Sequence, residues 1–153
     1  MPPLLDQKTS HNLGLSTAIS IAAQAITEVM GGRSLTEVLE QLGPHERPIV
    51  QSLTFDALRK WVRSHELINQ FIPKAPPPEV EHLLSVAIAL CIRDGSASKS
   101  YATHTIVDQA VWACAEYEKT QYAKGLVNAV LRKVSQALQP PEGSPQYPPD
   151  PIP

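Results

Sequence analysis

VEHLLSVAIALCIR, residues 80–93, is apolar on nearly every side when wound as a helix, and its reading decides the fold. A helix at a protein surface needs an apolar stripe on one flank only; one that is apolar all round is enclosed by its neighbours. The strongest part of the run, residues 83–92, is well short of the roughly 20 residues that cross a bilayer, so it reads as a core helix and not as a membrane span. Aromatic residues are only 5% of the 153, and β-branched residues seldom alternate, which argues against a sandwich or barrel and for an all-helical fold. The expectation is a single all-α domain, a compact bundle of about seven helices with this segment at its centre.

Outward from the centre, the apolar spacing stays helical and the breaks are explicit. Toward the N-terminus, four prolines between residues 73 and 78 separate the central helix from one carrying Leu67, Ile68 and Phe71, which Ser64 is placed to cap. Before that, Pro48 suits a first helical turn, and Ile49, Val50, Leu53, Leu58 and Trp61 follow at steps of three to four. Ser34 and Glu37 have capping-box spacing for a short helix through Leu42, ended by Gly43 and Pro44. Ala18, Ala22, Ala25, Ile26, Val29 and Met30 form the stripe of the first helix, which Gly31 and Gly32 stop. Toward the C-terminus, residues 94–100 read as a loop, Thr105 and Asp108 repeat the capping-box spacing, and a last helix opens near Tyr122 with Leu126, Val127, Val130, Leu131, Val134 and Leu138 on one side.

Seven of the 15 prolines lie in residues 140–153, a segment with too little apolar surface to fold alone. The division expected is a flexible N-terminus at 1–12, a helical domain at 13–139, and a Pro-rich linker or tail at 140–153 in extended, polyproline-like form. Such a tail favours a connection onward to a further domain, with a docking peptide as the alternative. No leader precedes the domain at Met1 and cysteine is scarce, so a cytoplasmic location is expected. Cys91 and Cys114 stand alone in apolar stretches and read as small buried hydrophobes. The five histidines, His11, His45, His65, His82 and His104, are scattered and pair with no carboxylate at a motif spacing; His104 reads as a capping or packing residue at a helix start. No catalytic residues, metal site or cofactor are expected, because no zinc spacing, glycine-rich phosphate loop or βαβ pattern is present.

HTIVDQAVWACAEYEK (104–119) followed by YAKGLVNAVLRKV (122–134) resembles the two C-terminal helices of the NusB-type RNA-binding domain. KGLVNAVLRK, 124–133, resembles most the version at the N-terminus of the RsmB (Sun, Fmu) ribosomal RNA cytosine-5 methyltransferases. AAQAITEVMGGRSLTEVL (22–39) and LTFDALRKW (53–61) resemble that family's first three helices, so the likeness spans residues 13–138. The resemblance implies an RNA-binding accessory domain, not itself an enzyme, that positions structured ribosomal RNA for an attached or associated methyltransferase. The alternative it implies is a protein-interaction domain of transcription antitermination, binding a ribosomal protein or a second copy of itself. NusB-type domains typically hold RNA partly through an Arg-rich start to the first helix. Here that start reads HNLGLSTAISIAAQA (11–25), with Lys8 the only fixed cation before Arg33, which fits a domain that assists an enzyme.

The charges give the residues for this role. The chain carries 13 Lys and Arg against 15 Asp and Glu, yet Lys119, Lys124, Arg132 and Lys133 fall in a stretch with no acid between the first and the last. Lys124, Asn128 and Arg132 follow one another at four-residue steps on one helix face, a row suited to phosphates. Gly125 reads as a site of tight helix packing, and Asn128 as a cap or cross-link to buried backbone. Arg59, Lys60 and Arg63 form a second group on the third helix, with Arg59 and Arg63 one turn apart and facing away from Leu58 and Trp61. Expected RNA contacts are Lys119, Lys124, Arg132 and Lys133, helped by Arg59 and Arg63.

Overall fold

A computed structural model describes residues 14–93 and 101–139. The expectations for residues 1–12, the loop 94–100 and the Pro-rich segment 140–153 lie outside the described residues. Within them the chain forms seven α-helices, one short 3-10 turn and no strand, as the sequence predicts. In order these are α1 (Leu15–Met30), α2 (Leu35–Glu40), α3 (Arg47–Arg59), α4 (Trp61–Phe71), α5 (Pro78–Cys91), α6 (Thr103–Glu116), the 3-10 turn (Gln121–Ala123) and α7 (Lys124–Ala137).

The all-round apolar segment is α5, and it packs against α1, α3, α4, α6 and α7. Ten of its 14 residues are buried, Leu84, Ala87 and Ile88 completely. Leu90 is only half-buried, so the enclosure is not quite complete at that position. Pro78 starts the helix, where its missing N–H and fixed φ are harmless, and Glu79 and Glu81 place negative charge near the positive end of the helix dipole. α1 lies along α5, buries Ala18, Ile19, Ile21, Ala22, Ala23, Ala25 and Ile26, and so has a wider inward face than the predicted stripe. Met30, assigned to that stripe, is 51% exposed because the helix ends there. The stop itself is as expected: Gly32 has φ 114°, and the Arg33 N–H donates back to the Glu28 carbonyl at 3.1 Å, closing the helix end. The N-terminus of α1 has no cap of its own and takes one from α6, where Gln109 Oε1 accepts from the Ser16 N–H at 3.1 Å.

Several expected boundaries move. Ser34 caps α2 as predicted, accepting from the Glu37 N–H at 3.1 Å, but α2 ends at Glu40, before Leu42. α6 begins at Thr103, not at a cap on Thr105; the Ile106 N–H bonds to the Ala102 carbonyl, so that fully buried Ile106 already lies in the first turn. His104 is therefore exposed inside the first turn. Ser64 is no cap either. It is fully buried inside α4, where its hydroxyl donates to the Trp61 carbonyl at 3.1 Å.

The largest correction falls at Lys60. α3 stops at Arg59 and α4 starts at Trp61, because Lys60 turns inward. Its ammonium is 3.1 Å from Asp56 Oδ1 and donates to the Ala89 and Ile92 carbonyls at 3.0 and 2.7 Å. Those carbonyls belong to the last turn and the exit of α5, where helical partners run out, and the Ala89 carbonyl also accepts from the Ile92 N–H at 3.2 Å. Leu58 and Trp61 are consequently half-buried on two different helices and do not share one inward stripe.

A second polar cluster joins α1, α4 and α5. The Thr27 hydroxyl donates to the Ala23 carbonyl at 2.9 Å, which leaves its oxygen to accept from His82 Nδ1 at 2.7 Å. His65 Nδ1 lies 2.9 Å from the Trp61 carbonyl, its ring stacks on Trp61 at 4.1 Å, and Nε2 is 3.3 Å from Glu81 Oε2. The histidines expected to be scattered thus include two, His65 and His82, that meet at Trp61, one of them beside a carboxylate; partners 16 residues apart on separate helices leave no motif.

Two outcomes follow from this packing. Ala87→Asp places a carboxylate where nothing can pair with it and should cost about 4 kcal/mol or more, abolishing the cooperative melt followed by circular dichroism, whereas Leu90→Asp at its half-buried position should be milder. Burial holds the His82 imidazole below its ordinary pKa of 6.5, with His65 acting in the same direction and Glu81 and Glu79 against it. The unfolded chain then takes up this proton at higher pH than the native one, so this part of the stability is present above about pH 6.5 and is lost as pH falls through the native value. The melting temperature should fall in that range, and His82→Gln should flatten the fall.

Candidate nucleic-acid interface

The basic group is positioned by the corner between α6 and α7. Thr120 is buried there, and it and Cys114 bond reciprocally: the threonine hydroxyl donates to the Cys114 carbonyl at 2.8 Å, and the Cys114 thiol donates to the Thr120 carbonyl at 3.0 Å. The Tyr117 carbonyl accepts from the N–H groups of Thr120 and Gln121, both at 2.9 Å, and the Thr120 carbonyl also accepts from the Ala123 N–H at 2.8 Å. Cys114 and Ala123 belong to the hydrophobic core and Thr120 is buried beside them, so the turn is held by these bonds and by the packing beneath it. Lys119 is exposed at its outer edge and Lys124 opens the helix that follows.

α7 then turns Val127, Val130, Leu131 and Val134 inward. Lys124, Arg132 and Lys133 are all exposed, as is Lys119. The predicted row is present: the Arg132 Nε–H donates to Asn128 Oδ1 at 3.2 Å, one turn back toward Lys124. Asn128 therefore serves the surface row and does not cap or cross-link backbone. Lys133 follows Lys124 by nine residues, about two and a half turns, so it lies on the opposite flank of the outward face. Gly125 and Ala129 are exposed between these flanks. A Cβ added at Gly125 would meet nothing within 4 Å, so the expected tight helix packing is not its role. Leu126, assigned to the inward side, is 40% exposed.

The second basic group does not form one face. The break at Lys60 leaves Arg59 as the last residue of α3 and Arg63 in the first turn of α4. Arg59 is engaged with Asp56, Nη2 to Oδ1 at 2.6 Å, and Lys60 is inside. Arg63 is exposed on α4, a helix that packs against α7.

Two large aromatic side chains stand exposed outside the set of contacts expected from the sequence. Tyr122 is 66% exposed within the basic stretch, and Trp112 is 59% exposed on α6. The signal for Tyr122 was available, an aromatic between Lys119 and Lys124 in an acid-free run. Acids gather instead around Tyr117, whose phenol is pushed up in pKa first by burial and then by Glu79, Glu28 and Glu118. Cations on α7 and acids at the neighbouring helix ends give the surface a polarity that the net charge of -2 conceals.

Both cysteines are free and buried; burial pushes the Cys91 thiol up to about 11, and raises that of Cys114 against the pull of its Thr120 bond. Neither supplies a thiolate near neutral pH. Among the described residues no group of three or more His, Cys, Asp or Glu could hold a metal ion, and no helix is long and apolar enough to cross a membrane.

Compared with known families, residues 16–136, from the second residue of α1 to the penultimate residue of α7, match the NusB family. No curated protein and no solved structure gives a significant match.

Two substitutions separate what the corner and the helix do for folding. Gly125→Ala places a methyl in open space within a helix and should stabilise the protein by about 0.5–1 kcal/mol in denaturant titration. Thr120→Val leaves the buried Cys114 carbonyl without its side-chain donor and should destabilise by about 1–3 kcal/mol.

Proposed function

The chain belongs to the NusB family, and from that premise we propose that it is a non-catalytic RNA-binding domain whose contact surface is the outward face of α7 with the corner before it. The observation that carries this reading is the exposure of Lys119, Lys124, Arg132 and Lys133 along a stretch without acids, in a chain that is acidic overall. Phosphates are the ligand such a row suits, since each contact releases condensed counterions and none needs a base-specific pocket. Arg63, on the helix beside α7, extends the field; Arg59 contributes less, because Asp56 already engages it.

The RNA proposed is structured ribosomal RNA, positioned for an attached or associated cytosine-5 methyltransferase of the RsmB (Sun, Fmu) kind. The resemblance of KGLVNAVLRK (124–133) supports this narrower reading. A second reading, a protein-interaction domain in antitermination that takes a ribosomal protein or another copy, is favoured by Trp112, a large ring of the kind that anchors protein interfaces, standing open on α6.

Binding to ribosomal RNA fragments across a salt series tests the first reading. About four to six phosphate contacts give a log-log slope of about -3 to -4. Lys124→Glu combined with Arg132→Glu should weaken binding at least about tenfold at about 50 mM salt and make the slope shallower by about one to two. Unchanged affinity would make the basic face a solvated surface and favour the protein partner.

A further inference from the structure

We infer that Tyr122 is a base-stacking platform, so that the α6–α7 corner binds RNA where a nucleotide is unpaired; this rests on the RNA reading above and adds a residue to it. In a 3-10 turn the side chains at i and i+3 eclipse, and here those positions are Thr120 and Ala123, both buried. With these two turned inward, Gln121 and Tyr122 are thrown outward, and both are exposed. The phenol ring is therefore held over solvent by a backbone fixed at the Thr120–Ala123 and Thr120–Cys114 bonds. It contributes little to the core, and two-thirds of it stays open.

The surroundings select the ligand. Lys119 precedes the ring by three residues and Lys124 follows it by two, with no acid between them. A flat aromatic face bracketed by fixed positive charge matches a nucleotide, base on the ring and phosphates on the ammonium groups, because every base has a π-face and stacking needs no hydrogen-bond code. A base within a duplex already stacks on its neighbours and cannot present that face. The corner thus distinguishes paired from unpaired RNA, while the α7 row holds both by their phosphates. A protein partner would use the same ring differently, filling a pocket of its own with it, and would gain little from the flanking lysines.

The test uses the full chain with two probes, a short single-stranded oligoribonucleotide and a blunt RNA duplex of equal length, each titrated across a salt series. Tyr122→Ala should weaken single-strand binding roughly 5- to 150-fold and change duplex binding less than about twofold. Tyr122→Phe should restore binding to within about twofold, since the ring and not the hydroxyl stacks. The salt slope should stay the same in both variants, because no charge is removed. Equal losses on both probes, or a changed slope, would overturn the stacking role. Unchanged single-strand binding by Tyr122→Ala, in a parent that binds with the expected salt dependence, overturns stacking and leaves the RNA reading standing. A parent that binds neither probe overturns both and turns attention to a protein partner. Because Tyr122 is exposed, each variant should melt with the parent.

Discussion

The ammonium of Lys60 between the Asp56 carboxylate and the carbonyls of Ala89 and Ile92 is the contact that the arrangement of helices turns on. α5 is enclosed by five other helices, so the carbonyls at its end must be met from within the protein. A lysine on the chain just after α3 reaches them, and its reach breaks what would have been one long helix into α3 and α4. That break lets α4 cross to pack on both α5 and α7. The carboxylate of Asp56 keeps the buried cation paired; without it the ammonium would face the interior uncompensated. The same device divides the basic run at Arg59, Lys60 and Arg63 between a structural cation inside and two arginines outside.

The parts of the fold legible in the sequence were those written in local chemistry. Residues 80–93 declare their enclosure by lacking a polar face, Ser34 declares its helix start by its distance from Glu37, and Gly31 and Gly32 declare a stop. What was not legible depends on partners far along the chain. Nothing near Lys60 announces that carbonyls 29 and 32 residues later will claim it, and nothing near Gln109 shows that it caps α1. Ser64 and Thr105 satisfied a capping pattern, but tertiary demand, the inward turn of Lys60 and the burial of Ile106, set the helix starts instead. For the candidate site, the charges were readable because their stretch contains no acid. The outward throw of Tyr122 was not, since it follows from a 3-10 turn that a helical pattern does not distinguish from the first turn of α7.

Order at the site comes from the same economy of contacts. The corner between α6 and α7 rests on the core through Cys114 and Ala123, and its shape is held further by Thr120 and Cys114 acting on each other. Lys119, Tyr122 and Lys124 therefore stand on a fixed backbone, which reduces the ordering entropy that a ligand must overcome. The acids near Tyr117 sit on adjacent helix ends, Glu28 on α1, paired with Arg33 at 3.3 Å, and Glu79 on α5. On the proposed RNA reading, attraction along α7 would orient a strand before any specific contact forms.

The most direct test of this picture is an amide chemical-shift map of the full chain titrated with single-stranded RNA at low salt. The RNA reading predicts that shifts concentrate at residues 119–125 and along the outward side of α7 as far as Lys133, and that they fade as salt is raised. Shifts centred on Tyr117, Glu28 and Glu79, or confined to the Trp112 face of α6, would contradict it.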